Sequence, residues 1–287
     1  MSGNRPKGKK PPAPKAKLTS NIQPGVLSKS GNSYHWKKTG QHIYRYHPPR
    51  ADYPLLQSAQ PAVQLATVPK SVDLRNLCPP IRAQGKEEAC SGFATAAFRE
   101  ASYVAKTGVL LPDYLSPAYL YGWTRINDGT FPNDSGASLA GEFTVLQQRG
   151  VCPESYLPYD TDPAEGPNPV ADTAAHQFRI VQPIQVDWRV PAVVKSVLAS
   201  RQTIAIGFYV YKSFETPNPQ GVVPMPNKAA EKLLGGHGVL ICGYDDDRSV
   251  WIVRNQWGEQ WGDHGYCYMP YGYESIWTEA WTAVPTG

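Results

Sequence analysis

The sequence has no apolar run long enough to span a membrane, no Cys-x-x-Cys or His-x-x-x-His pair, and no Asp or Glu in its first fifty residues. The first absence excludes a helical membrane span. The second removes the usual spacing of a zinc site, so no metal and no cofactor is expected. The third leaves an uneven charge: eleven of the 28 Lys and Arg fall in residues 1–50, and the remainder holds 17 basic against 24 acidic residues. The opening stretch MSGNRPKGKKPPAPKAK also lacks the apolar segment of a secretory signal. The expected location is therefore the cytoplasm, or outside the cell by a route without such a signal.

What is present is a chain of 287 residues, 41% apolar, with 28 Pro, 25 Gly and 17 Tyr. That length and composition fit a loop-rich globular protein better than a helical bundle. Residues 1–33 are rich in Pro, Lys and Ser without apolar periodicity and read as a disordered basic leader. Such a tail is usually solvated; attraction to nucleic acid or an anionic membrane is the lesser reading. Residues 34–67 carry aromatic and proline clusters such as HIYRYHPPRADYP and read as an extended, pro-segment-like region. Its aromatic density is hard to explain in a pure linker, so contact with the body of the protein is expected.

A folded domain is expected over residues 68–287. Phe93, Ala94, Ala97, Phe98, Ala101 and Val104 recur at helical spacing, with Gly108 placed to end the helix. LSPAYLYGW, ASLAGEFTVLQQRG and PAVVKSVLASR predict three more helices. FRIVQPIQVDW, TIAIGFYV, HGVLICGYD, SVWIVRNQWG and GYCYMPY read as strands. Helices first and strands later predict an α+β protein of two lobes.

Three segments carry chemistry: IRAQGKEEACSGFA, GGHGVLICGYDDD and WIVRNQWGEQWGDHGY. Cys90 falls at a predicted helix start, where backbone N–H groups and the helix dipole favour a thiolate. Glu87 and Glu88 beside it oppose that charge. His237 is expected at a strand start among glycines. Asn255 follows after a second strand, placed to orient the imidazole and leave its other nitrogen for the thiol. Gln84 sits in a glycine-containing loop and, with the Cys90 N–H, can hold a developing oxyanion. Trp257 and Trp261 can shield the His–Asn contact. With Cys90 set aside, Cys78, Cys152, Cys242 and Cys267 allow three pairings; buried free thiols are expected in a reducing compartment.

Together these segments resemble the papain-like cysteine peptidases, in particular their bacterial subgroup. The similarity also takes in VPKSVDLR, LSPAYLY and SGASLAGEFTVLQQRGVCPESYLPYD. His237 lies 147 residues after Cys90, within the family spacing, and Asn255 lies 165 after it, slightly beyond. The resemblance implies a helical lobe and a β-rich, barrel-like lobe with a cleft between them. It implies Cys90 as nucleophile, His237 as base and acid, Asn255 as its orienter and Gln84 as oxyanion donor. It further implies that Gly136 and Trp257 contact substrate, Gly136 by pairing with its backbone.

Where the family usually has a structural Cys three residues before the nucleophile, this chain has Glu87; Ser91 replaces the usual aromatic, and Gln256 the usual Ser after Asn255. Residues 1–67 also lack the family's helical pro-segment pattern. The expected function is a cysteine endopeptidase acting on protein or peptide, made as a zymogen or with cleft access controlled by residues 34–67. A transamidase or peptide ligase with the same site, and a non-catalytic peptide-binding homologue, are the alternatives.

Overall fold

In the computed structural model, the residues described are 44–49, 60–62, 64–159, 164 and 166–285. The expected leader, residues 1–33, lies outside them. Among the described residues five helices form: α1 (Cys90–Thr107), α2 (Pro117–Asn127), α3 (Leu139–Gln148), α4 (Pro169–Ala175) and α5 (Pro191–Ala199). The strands are β1 (Gln60–Pro61), β2 (Ser71–Asp73), β3 (Ile180–Gln185), β4 (Ile204–Tyr211), β5 (Leu233–Asp245), β6 (Val250–Arg254), β7 (Tyr266–Pro270) and β8 (Trp277–Pro285).

The strands join in one sheet in the order β1-β3-β8-β4-β5-β6-β7, with β2 also paired to β5. Among these strands β1 and β3 pair in parallel and the other pairs are antiparallel. β1 lies upstream of residue 68, so the sheet begins earlier in the chain than the sequence boundary placed it. Ala62 N–H donates to Gln185 O at 2.9 Å and extends this edge.

Helix ends follow local chemistry. Ser116 and Ser138 cap α2 and α3 by accepting from Tyr119 N and Gly141 N. Pro117 occupies the first turn of α2, where a missing N–H costs nothing. α1 ends at Gly108, whose left-handed backbone lets its N–H reach Val104 O at 2.8 Å.

α1 is the central helix, buried through most of its length. Its small residues explain how it fits: Ala94, Ala96, Ala97 and Ala101 let neighbours approach on several faces. At Gly92 a Cβ would come 2.7 Å from Pro117 O, so α2 crosses there only over glycine. One core, built from Phe98, Leu120, Phe143, Leu146 and Trp281, joins the helices to β8. A second, built from Ile206, Phe208, Val239, Trp251 and Val253, lies on the sheet under α5. Fully burying side chains of this size contributes roughly 1.5–3 kcal/mol each.

Candidate active site

The nucleophile candidate and its loop are fixed by the segment that follows Asn255. Gln84 N–H donates to Gln256 O at 2.9 Å, and Gly258 N–H to Arg82 O at 3.2 Å. Ala83 bridges Trp257. These bonds bring Cys90 to the first position of α1, where its N–H has no partner within the helix.

His237 stands in the middle of β5, opposite Phe208 of β4, because the strand begins four residues earlier than its apolar pattern indicates. The glycines before it are part of the strand. Asn255 follows β6 directly, and its N–H is held by Gly265 O at 3.0 Å. The β5–β6 hairpin brings the two side chains together: His237 Nε2 lies 2.9 Å from Asn255 Oδ1. That oxygen also accepts from Gln256 N–H at 2.9 Å, which marks it as the acceptor and makes His237 Nε2 the donor. Nδ1 is then the proton acceptor of the ring.

Aromatic rings enclose the imidazole. Trp257 lies over it at 4.8 Å with a 33° tilt, and Phe208, Phe214 and Tyr44 stand at 5.9, 6.2 and 6.3 Å. Trp261 backs Trp257 at 5.0 Å. His237 is 2% exposed and Asn255 fully buried, so water does not compete for their bond.

Cys90 faces this group. The Gly238 N–H, next to His237, and the N–H groups of Ser91 and Cys90 itself draw the thiol toward ionisation. Burial is stronger and, helped by the Glu142 carboxyl, pushes the thiol up to about 12. Gln256, for which sequence reasoning found no role, ties the two sides together: its Nε2 donates to Gly238 O at 2.7 Å and to Cys90 O at 3.4 Å. Gln84 sits in the same loop; its Nε2 donates to Glu87 O at 3.0 Å, which leaves one more N–H on that amide.

The Ser91 hydroxyl donates to Glu142 Oε1 at 2.8 Å, inside the protein. Burial holds the Glu142 carboxyl up at about 8, against the Ser91 and Thr124 hydroxyls that lower it. An aromatic residue at position 91 would leave Glu142 without this donor. All five cysteines are free, and no group of three or more His, Cys, Asp or Glu able to hold a metal is found among the described residues.

Residues 44–46 lie in extended conformation against this site. Arg45 bridges Gly236 in parallel pairing, and Gly236 N–H donates to Tyr44 O at 3.3 Å. Tyr44 Oη donates to Glu215 Oε1 at 2.7 Å. The Tyr46 ring is buried, with its hydroxyl 2.6 Å from Glu279 Oε1 and 2.9 Å from Thr278 Oγ1. A Cβ at Gly207 would overlap that hydroxyl, so the depth of the pocket depends on glycine there. Glu279 is the floor, and it also accepts from Leu139 N, Ala140 N and Trp281 Nε1, which joins β8 to the start of α3.

Gly136 lies in irregular backbone at φ +73°, facing the Arg45 carbonyl so closely that a Cβ would overlap it. Its N–H is taken by Tyr121 Oη at 2.9 Å, so this N–H is not offered to an extended segment in the cleft. The contact made by Tyr44 and Tyr46 matches the expectation from the aromatic cluster; their acceptors, Glu215 in the turn after β4 and Glu279 on β8, were not legible.

The family model described as papain family cysteine protease matches residues 68–283. The chain is 30% identical over 179 residues to an uncharacterized peptidase C1-like protein of Acanthamoeba polyphaga mimivirus, covering 58% of this chain and 57% of that one. Among solved structures it is similar to xylellain, a cysteine protease from Xylella fastidiosa, at 28% identity and a TM-score of 0.76, covering 88% of this chain and 99% of that one. The fold also matches digestive procathepsin L 3 of the Tenebrio molitor larval midgut, with 19% identity and a TM-score of 0.67 over 86% of this chain and 77% of the other. The chain spans less than two thirds of the length of the curated relatives it matches first.

Proposed function

The chain belongs to the papain family of cysteine proteases, and we propose that it is a thiol endopeptidase whose own residues 44–46 occupy its cleft. The carrying observation is the His237 Nε2–Asn255 Oδ1 bond of 2.9 Å beneath Trp257, with the N–H of the next residue, Gly238, directed at the Cys90 thiol. It orients the imidazole with Nδ1 as proton acceptor and sets the nucleophile at its flank.

His237 takes the Cys90 proton, and sulfur attacks a peptide carbonyl. The oxyanion forms between the Cys90 N–H and the remaining Gln84 N–H, a donor pair of the type worth about 2.7–4 kcal/mol per bond. The tetrahedral intermediate collapses as the imidazolium protonates the leaving amine. Water, deprotonated by His237, then attacks the thioester, and sulfur leaves to restore the free enzyme.

Such a cycle needs the cleft open. Tyr44 against His237 and Trp257, Arg45 against Gly236, and Tyr46 in the Glu279 pocket fill the space a peptide would use. Structures of similar fold include proenzymes, and this segment fits the same logic of intramolecular restraint without the family's pro-segment sequence pattern. The test is hydrolysis of a casein-type protein and covalent labelling by an epoxysuccinyl probe. The Cys90→Ala chain should lose both; hydrolysis that survives the substitution excludes Cys90 as nucleophile.

A further inference from the structure

We propose that Glu88, framed by Asp134 two residues before the nucleophile, is a subsite that binds a cationic side chain, a guanidinium above all, of the peptide being cut. This rests on the peptidase reading above and adds a substrate preference to it.

Glu88 is an unusual residue to bury beside a thiol nucleophile. Its side chain is 2% exposed. It does not cap α1, whose cap residue is Ala89 with no side-chain bond. Asp134 receives the Glu88 backbone N–H, at 3.2 and 3.3 Å, and the Tyr121 hydroxyl at 2.6 Å. The Glu88 carboxylate takes no part in those bonds. Among the described residues its ion-pair partner is Arg45, whose Nε lies 2.9 Å from Oε1. Glu88 Oε2 is buried without a hydrogen-bond partner. A buried carboxylate with an unsatisfied oxygen is costly unless a cation meets it.

Arg45 shows how the cation sits. While Nε meets Glu88, Nη1 donates to Asp134 O at 3.3 Å, so the planar group touches a carboxylate and a carbonyl at once. The Arg45 side chain remains 62% exposed, which makes it a surface occupant resting on the buried acid. Arg45 comes from the cleft segment that must leave for a substrate to enter, and the acid then has to be satisfied by water or by the incoming chain. A guanidinium spans the two acceptors better than an ammonium, and a urea of the same shape carries no charge.

The test uses the full chain and peptides with Arg, or its neutral isostere citrulline, at each of the two positions on either side of the scissile bond. Competition from residues 44–46 lowers both rates by the same factor, so the ratio of kcat/KM is insensitive to it. At one position Arg should be favoured about 30-fold over citrulline, a typical gain for a charge-assisted pair. In Glu88→Gln the ratio should fall below about 3-fold, while an uncharged epoxysuccinyl probe still labels Cys90. The subsite is overturned if citrulline equals Arg at every position while labelling is intact, or if the preference survives Glu88→Gln. Calorimetric titration of the same peptides into Cys90→Ala and Cys90→Ala/Glu88→Gln measures binding without chemistry. Should labelling and cleavage both fail, the peptidase reading falls, and this second measurement still decides the subsite: equal affinity for Arg and citrulline peptides refutes it.

Discussion

The two walls of the cleft hold their polar groups in opposite ways. On the helical side, Glu88, Glu100 and Glu142 are buried carboxyls, and each keeps one oxygen without a hydrogen-bond partner. On the sheet side, the buried Glu279 has both oxygens bonded, by Tyr46 and by three further donors. The His237–Asn255–Gln256 group contains no carboxyl, and its imidazole is ringed by Trp257, Phe208 and Phe214. The helix dipole at Cys90 therefore acts against nearby acids, and Glu142 raises the thiol further. The N–H groups of Cys90 and Ser91 on its own helix and the Gly238 N–H across the cleft draw the thiol the other way, toward the thiolate, and in the proposed mechanism a protonated His237 supplies the counter-charge.

The largest break in that comparison is His237→Ala. It removes the proton acceptor from the sheet side and leaves the opposing carboxyls in place. A fall in kcat/KM of at least about 1,000-fold is expected by peptide hydrolysis. Next in size are the two anchors of residues 44–46, one on each wall. Tyr46 is buried and bonded to the sheet; Arg45 is largely exposed and paired to the helical wall. Tyr46→Ala should raise cleavage of a small peptide by the full chain about 50-fold, as expected for loss of a buried aromatic side chain. Arg45→Ala should raise it roughly 5-fold, since exposed pairs contribute little. Equal effects would mean that both walls hold the segment alike. Gln256→Ala cuts the amide link between Gly238 O and Cys90 O. A loss of kcat of about 10-fold with little change in KM is expected, because the thiol loses its register with the imidazole.

Most of the candidate site's geometry was legible in the sequence because its parts are local. Helix periodicity and Gly108 placed α1, and with it Cys90; the hairpin pattern over residues 237–255 placed Asn255 beside His237. The start of β5 was misplaced because Gly235 and Gly236 read as loop. They are strand residues that stay bare so that Tyr44 and Tyr46 can lie on them: a Cβ at either would overlap that backbone. β8 was missed, since WTEAWTAVP alternates weakly and places an acid, Glu279, on its buried face. That acid becomes intelligible only with the helix α3 N-terminus and Tyr46 assembled around it, from positions 140 and 233 residues away in sequence. Gln256 departs from the family pattern in a way the sequence registers, but its two carbonyl partners come from separate segments.

A test of stability rather than activity addresses the helical wall alone. Glu142 titrates at about 8 in the folded protein, raised by burial, whereas an unfolded chain ionises it near 4.3. Between those values the native state holds a proton that the unfolded state has released, so stability falls as pH rises across this window. One such group changes stability by up to about 1.4 kcal/mol per pH unit. Glu142→Gln removes the titration and retains an oxygen to accept from Ser91. Denaturant unfolding at pH 5 and pH 8 should then show the variant gaining on the parent chain as pH rises. A parallel pH dependence in the two proteins would mean that Glu142 is ionised in the native state at neutral pH. The helical wall would then carry a full negative charge behind Ser91, and the dependence of the Cys90 thiolate on His237 would be stronger still.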